Sequence, residues 1–523
     1  MLVKLNGSAL HGVEAFRITV EVSIDNGLGY YITGQADETV KESLSRIGVV
    51  IRNLGLHMPR TKISVNLSPA EIRKTGPGFD LPIAIGILLA SGQAKDAGKL
   101  QDYVLAGELG LDGSTLPIRG CLCMAHQAVL DGMKGIIVPS GSAREACLVK
   151  GIEVYGVKHI RDVLDFLKPD SLIVPVRSDI ESMQPFEQSL MPDFSDVKGQ
   201  EGVKRALEIA AAGGHNAILI GPPGVGKSML AKRLPSILPP MTREEVLETT
   251  RIYSVSNEGQ AVSSLIQGRP FRSPHHTASD VSLTGGGSFP MPGEMSKAHN
   301  GVLFLDELWE FSRSAIEVLR QPLEEGKVRI ARAKMTLEYP ASFMLIAAMN
   351  PCFCGYYGHP ERHCTCSRRA LEYYRRKISG PLMERIDLHV EAESIPLSEL
   401  AEPGKRSESS ADIRKRVIRA REAQAVRFGL VPGIHCNARM RDAGLEVFCP
   451  LDNYAKRFLF ARMEKLQLSV RSYSRILKVS RTIADLAGSV GIEMEHIAEA
   501  IHYRGLDRPL EVRRGKRDVR AGD

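Results

Sequence analysis

The chain has 523 residues, 43% hydrophobic and 25% charged, with 68 Lys and Arg against 61 Asp and Glu for a formal net charge of +7. That length accommodates roughly two to four domains with cores of their own, and the composition is that of an ordinary globular protein. No apolar run reaches bilayer-spanning length, and the opening Met-Leu-Val-Lys-Leu-Asn-Gly has no basic segment before an apolar one, so the expectation is a cytoplasmic protein without membrane contact.

Residues 1–168 alternate strand-like runs (Phe16–Ile24, Thr61–Asn66, Tyr103–Gly107, Gly135–Val138) with helical ones (Glu38–Leu54, Leu81–Ala90, Cys121–Asp131), which predicts an α/β domain. Residues 169–192, with Pro175, Pro185 and Pro192, read as a linker.

The apolar run Ala217–Ile220 then leads into Gly221-Pro222-Pro223-Gly224-Val225-Gly226-Lys227-Ser228, followed by the helix-compatible Met229–Leu234. Strand, Gly-rich loop and helix in that order are the context of a phosphate-binding loop. The glycines let backbone N–H groups turn around a polyphosphate, Lys227 reaches its β and γ groups, and Ser228 is a Mg²⁺ ligand. ATP and Mg²⁺ are the expected cofactors, with Gly221 through Met229 as the nucleotide contacts.

About 80 residues on, Gly301-Val302-Leu303-Phe304-Leu305 runs into Asp306 and Glu307. A buried parallel strand would set Asp306 beside the Mg²⁺ and Glu307 as general base for the attacking water. A third strand, Phe343–Met349, ends at Asn350, which can hold that water. Pro381-Leu382-Met383-Glu384-Arg385 places Arg385 in a helical turn before the strand Leu388–Ala392, where it can reach a neighbouring subunit's γ-phosphate. Arg471 and Arg475, opening a helix over Ser472–Val490, can contact the nucleotide of their own subunit; the plain alternative for all three is surface arginine.

Nine cysteines in such a chain argue against a disulfide framework. Cys121, Cys123, Cys147, Cys436 and Cys449 are scattered and read as small core residues. Cys352-Phe353-Cys354 and Cys364-Thr365-Cys366 are clustered, with His359 and His363 near them, and four thiolates from one short loop suit tetrahedral Zn²⁺. Free thiols or a redox pair are the alternatives.

Residues 193–392 thus form the nucleotide core, 393–410 a second linker, and 411–510 a mostly helical region (Ala411–Phe428, Asn453–Leu466, Ser472–Val490, Glu493–Tyr503) before a basic tail, 511–523. The segment Ile413–Phe428 is rich in Arg and Lys, read as a solvated face, with nucleic-acid contact as the alternative.

The order of phosphate loop, Asp306-Glu307, Asn350 and Arg385 resembles that of AAA+ ATPases. Phe271-Arg272-Ser273-Pro274-His275-His276-Thr277, Pro292-Gly293-Glu294, Ala298-His299-Asn300-Gly301, Asn350-Pro351-Cys352 and Val470-Arg471-Ser472-Tyr473-Ser474-Arg475 resemble the magnesium-chelatase-like branch, and with the N-terminal region the whole chain is similar to the YifB/ComM family. Trp309, the only tryptophan, departs from the proline that family usually carries after Asp-Glu-Leu.

The resemblance implies a homo-hexameric motor that moves along single-stranded or branched DNA and promotes branch migration, as when transforming DNA is integrated. It further implies an insert within Ser254–Gly293, with Thr284–Ser288 as a flexible tip, and a hairpin at Lys327–Lys334. The basic residues Lys327, Arg329, Arg332 and Lys334 are expected to share one strand face and grip a phosphate backbone; solvated edge-strand charge is the alternative.

Residues 1–168 resemble the Lon-type protease domain through Thr75-Gly76-Pro77-Gly78 and the segments Gly107–Gly110 and Leu116–Gly120. A serine–lysine dyad would need a serine where this chain has Gly78 and a lysine where it has Leu122, so the domain is expected to be non-proteolytic. The competing functions are a chelatase motor driving Mg²⁺ into a porphyrin, a Lon-like peptidase, and an ATP-gated scaffold without turnover.

Overall fold

The computed structural model describes residues 1–507 except 97, 177–190, 257–263, 288–289, 333–334, 360, 378–379, 395–406, 430 and 432. Lys334, the basic tail and much of both expected linkers therefore lie outside the described residues. Among the described residues no helix is long and apolar enough to cross a membrane.

The N-terminal α/β unit is built on a seven-stranded mixed sheet. Its strands are β1 (Leu2–His11), β2 (Glu14–Asp25), β3 (Gly29–Thr33), β4 (Lys62–Ser68), β5 (Tyr103–Leu105), β6 (Gly135–Pro139) and β7 (Glu153–Val157), in the order β3-β4-β2-β1-β5-β6-β7. Strand β4 alternates buried and open positions, the signature of a sheet with one face in the core. Helix α1 (Glu38–Asn53) buries Val40, Ile47, Val50 and Ile51, and Asp37 caps it by accepting from the Val40 N–H at 2.9 Å. Helix α2 (Asp80–Ala90) is buried all round, which explains its almost unbroken apolar sequence.

The central unit is a five-stranded, all-parallel sheet: β8 (Ala217–Ile220), β9 (Phe271–Arg272), β10 (Val302–Leu305), β13 (Met344–Met349) and β14 (Leu388–Glu391), in the order β9-β10-β13-β8-β14. Strands β8, β10 and β13 are buried at every position, as parallel strands covered on both faces must be. Between β10 and β13 the chain makes the antiparallel hairpin β11 (Lys327–Arg332) and β12 (Met335–Pro340). Strand β8, the first of the five along the chain, lies between β13 and β14, the last two, and the crevice where the strand order reverses in this way is where ligands bind in open α/β sheets.

Helices at Ser410–Phe428, Asn453–Lys465, Val470–Ala487 and Met494–His502 follow, each of the first three N-capped by a side chain (Ser409, Asp452, Ser469). The basic stretch in the first of them is not a free cationic face. Arg416 pairs with Glu208 at 2.5 Å, Arg421 donates to the Ala211 carbonyl at 3.0 Å, and Arg427 pairs with Asp485 at 2.5 Å.

The N-terminal unit is joined to the central one through the helix Arg243–Ser256 and the hairpin. Arg251 donates to the Val13 carbonyl at 2.6 Å, Ser254 donates to Glu145, and a Cβ on Gly12 would lie 3.3 Å from the Glu338 carbonyl. Val13, Ala15 and Leu122 share one apolar cluster with Ile252, Val255, Val328 and Tyr339. Gly78 and Leu122 are the positions where the resemblance expects a dyad. Leu122 is fully buried, and the nearest atom to a Cβ on Gly78 would be Ile118 Cδ1 at 3.9 Å.

Two expectations about the insert and hairpin need correction. Thr284 closes a short helix, Asp280–Thr284, and Gly285–Gly286 pair with Met291–Pro292, so most of the expected flexible tip is ordered backbone. Lys327 and Arg329 do share one face of β11, while Val328 and Ile330 are buried on the other. Arg332 breaks that alternation, because a strand repeats every two residues and it stands an odd number of residues from both.

Candidate functional site

The phosphate loop bends back on itself at Gly224 (φ +82°) and Gly226 (φ +87°), left-handed conformations that a side chain would strain. Gly226 opens the helix Lys227–Ile237, whose positive end therefore faces the loop. The helix begins two residues before the Met229 start expected from the sequence; Met229 itself is partly exposed.

Lys227 is buried, and its Nζ donates to the Gly221 carbonyl at 2.6 Å, the Pro222 carbonyl at 2.8 Å and Asn350 Oδ1 at 3.2 Å. Burial pushes its pKa down, against the pull of Asp306. Ser228 Oγ donates to Asp306 Oδ2 at 2.5 Å, bringing two oxygens together at the end of β10. Those oxygens suit a hard divalent cation, and the loop suits a polyphosphate, so the residues present fit Mg·ATP.

Glu307 follows with φ +50°, unusual for a residue with a side chain, and its N–H donates to Asp306 Oδ1 at 2.9 Å. Its carboxylate is exposed and lies 3.4 Å from His276 Nδ1. His276 is a contact the sequence could flag only as part of a family motif. Gln200 is a second one: also at positive φ, it donates from Nε2 to the carbonyls of Val225 (3.2 Å) and Glu393 (2.6 Å), clipping the loop to the end of β14. No spacing or composition signal marks it.

The three arginines lie on one seam between the sheet and the C-terminal helices. Arg385 pairs with Glu324, and Arg471 with Glu384. Arg475 Nη1 lies 3.1 Å from Asp387 Oδ1, and His215 Nδ1 lies 3.0 Å from Asp387 Oδ2. Burial pushes the Asp387 carboxyl up, but Arg475, His215 and Lys478 outweigh it and hold the pKa well below the usual range. Each arginine thus has a carboxylate partner within its own chain.

On the hairpin, Glu338 faces Arg329 across the strands and pairs with it at 2.6 Å and with Lys327 at 3.4 Å. One carboxylate therefore offsets two of the expected cationic contacts.

The cysteine cluster begins two residues after Asn350. The Sγ atoms of Cys352, Cys354, Cys364 and Cys366 lie within 4.8 Å of one another. Cys352 is 3.3 Å from Cys354 and 3.7 Å from Cys364, and Cys354 is 3.5 Å from Cys364. A tetrahedron of sulfurs about 2.3 Å from a central Zn²⁺ has edges of about 3.8 Å, so the set fits that ion. Burial opposes ionisation of Cys354, but the N–H groups of Tyr356 and Thr365 and the neighbouring thiols bring its pKa down to about 6, while burial pushes Cys352 up to about 12. His359 faces elsewhere: Nδ1 accepts from the Glu361 and Arg362 N–H groups, and Nε2 is 3.1 Å from Ser394 Oγ. By contrast, burial pushes Cys123 and Cys147 up to about 11 and Cys449 up to about 12, as inert core thiols.

Comparison with known proteins agrees with this architecture. The family model described as "Magnesium chelatase, subunit ChlI" matches residues 193–400, "Subunit ChlI of Mg-chelatase" matches 20–142, and "Magnesium chelatase, subunit ChlI C-terminal" matches 407–504. The uncharacterized protein YifB of Salmonella typhimurium is 43% identical over 501 residues, covering 95% of this chain and 96% of that protein. The competence protein ComM of Haemophilus influenzae is 42% identical over 503 residues, covering 96% and 97%. The uncharacterized protein YifB of Escherichia coli is 43% identical over 504 residues, covering 95% and 96%.

Proposed function

Because the chain belongs to the YifB/ComM family of magnesium-chelatase-like AAA+ proteins, we propose that it is a Mg²⁺-dependent ATPase whose hexamer moves along DNA and promotes branch migration in recombination or the integration of transforming DNA. The observation that carries this reading is the meeting of Lys227, Ser228, Asp306 and Asn350 at one end of the parallel sheet.

The mechanism follows from the donors. Backbone N–H groups of residues 224–229 and the Lys227 ammonium would bind the phosphates, and Ser228 and Asp306 would hold Mg²⁺, which offsets phosphate charge when bound. Lys227 would exchange its carbonyl partners for phosphate oxygens. Glu307 would take the proton of the attacking water, with Asn350 holding that water in line. Arg385 would leave Glu324 to reach the γ-phosphate of the adjoining protomer, and Arg471 would leave Glu384 to contact its own nucleotide.

Lys327 and Arg329 would supply phosphate contacts to DNA in the central channel, with Arg332 and Lys334 as further candidates. Cys352, Cys354, Cys364 and Cys366 would hold Zn²⁺ in a closed structural site. The N-terminal unit, lacking a dyad, would serve as a scaffold bearing on the helix Arg243–Ser256 and the hairpin.

The competing reading is a chelatase motor, which the printed description of the matching family favours. Against it stands the match over 96% of this chain to a protein named for competence. ATP turnover measured with forked DNA and with a porphyrin-bearing partner separates the two. Stimulation by DNA alone supports the translocase, and stimulation by the porphyrin partner alone removes it.

A further inference from the structure

The strand end that carries Asn350 runs directly into the cysteine cluster, so whatever fixes the cluster also bears on the catalytic end of the sheet. Phe353 stands between two of the thiols in sequence, and its ring packs against other aromatic rings. It meets Trp309 edge-on at 4.7 Å between centroids and Tyr374 at 5.0 Å. Trp309 lies two residues after Glu307 and stacks flat on Tyr374, at 5.1 Å and 4° between planes. Its indole N–H donates to the Tyr374 carbonyl at 3.2 Å, and Lys377 Nζ sits 3.8 Å over its ring while also donating to the Trp309 carbonyl. The Tyr374 hydroxyl donates to the Asn350 carbonyl at 2.9 Å.

The other side of the loop touches the phosphate loop. Gly355 has φ +83°, and a Cβ there would stand 2.8 Å from Pro223 Cδ. From Pro351 to Ser367 the described residues form no helix or strand, so regular hydrogen bonding does not hold Phe353 and Gly355 where they are. A four-thiolate crosslink would.

We propose that the metal-bound cysteine loop is a positioning element of the hydrolysis site, and that Trp309 is the positioning residue through which it orients the Asp306–Glu307 turn. The proposal rests on the zinc and ATPase readings above. A crosslink at the four sulfurs fixes Phe353, and Phe353 buttresses the Trp309–Tyr374 stack. That stack holds the backbone after Glu307 on one side and Asn350 on the other. Trp309 is what gives this chain a ring large enough to bridge both.

The test uses the full-length protein, in which Trp309 is the only tryptophan. Metal content is measured on the purified protein, the metal is stripped with a mercurial reagent and chelator, and Trp309 emission, kcat and the Kd of a fluorescent ATP analogue are followed. The expected result is one zinc per chain, a red-shifted Trp309 emission on stripping, a fall in kcat of about tenfold or more, and a Kd within about twofold of the start. Phe353→Ala retains all four thiolates and is expected to keep its zinc yet lose a similar share of kcat. Trp309→Phe is expected to retain most of the rate that Trp309→Ala loses.

Stripping that leaves emission and kcat unchanged overturns the proposal, as does a Phe353→Ala protein with full activity. Loss of nucleotide affinity in parallel with kcat also overturns it, since the pocket as a whole would then have collapsed. A zinc content no higher than that of Cys354→Ser/Cys366→Ser removes the metal. A wild-type protein that binds nucleotide without turnover counts against the ATPase reading alone, because the emission response still reports the link.

Discussion

His276 Nδ1 lies 3.4 Å from Glu307 Oε2, so the residue proposed as general base is in contact with the segment in which the insert is expected. An imidazole on that carboxylate competes with water for it. His276→Ala is expected to raise ATP turnover without DNA about threefold and to shrink the stimulation by DNA, measured as steady-state phosphate release. A fall in basal turnover would mean that His276 orients Glu307 productively instead.

Removing the base itself should have a different signature. Glu307→Gln is expected to keep nucleotide affinity and reduce turnover by roughly 10²- to 10³-fold, whereas Lys227→Ala should lose binding of the nucleotide analogue. An unchanged turnover rate in Glu307→Gln removes the residue from its role.

Arg385 and Lys227 are proposed to act on one nucleotide from two protomers. Arg385→Ala alone should lower kcat by roughly 10³-fold with affinity nearly intact. Mixing Arg385→Ala with Lys227→Ala protomers should then recover part of the rate, because some boundaries in a mixed ring carry both wild-type residues. No recovery at any mixing ratio would place Arg385 and Lys227 on the same side of the boundary.

Asp387 ties β14's approach to the C-terminal helices through Arg475 and His215. Replacing it leaves Arg475 without its carboxylate, and Asp387→Asn is expected to cost about 3 kcal/mol in unfolding free energy. The folded carboxyl titrates below its unfolded value, so its stabilisation is fully present above about pH 4 and is lost as pH falls below that toward the folded pKa. Thermal melts from pH 6 to pH 3 should therefore show a steeper acid-side fall for the wild type than for Asp387→Asn.

Glu338 partly cancels Lys327 and Arg329. Glu338→Gln should tighten DNA binding and steepen its salt dependence, while Lys327→Ala/Arg329→Ala should weaken binding and flatten that slope by about 2. Fluorescence anisotropy over a salt series reads both, and identical slopes would take the hairpin out of the DNA contact.

The parts of the fold legible in the sequence are those encoded locally. The long helices of the C-terminal region carry their own period, and the three fully apolar strands β8, β10 and β13 stand out as unbroken apolar runs; their expected ends lie within two residues of those observed, except that the helix expected to run to Val490 stops at Ala487. Strands β1, β3 and β7 carry no such mark: Leu2–His11 mixes Gly, Ser and Asn into its alternation and becomes a strand through its pairing with β2. Partners distant in sequence were equally silent. Nothing near His276, Gln200 or Glu338 announces Glu307, the Val225 carbonyl or Arg329, since each contact forms only when separate loops or strands meet. The four cysteines were visible as a set, but their convergence depends on a loop path that no periodicity records.

The most direct test of the whole reading is strand exchange on a labelled mobile Holliday junction, run with purified protein and Mg·ATP beside a Glu307→Gln control. ATP-dependent conversion of the junction to products, absent in the control and accompanied by DNA-stimulated phosphate release, is the expected result. A wild-type protein that hydrolyses ATP at the same rate with and without DNA, and leaves the junction intact, would contradict it.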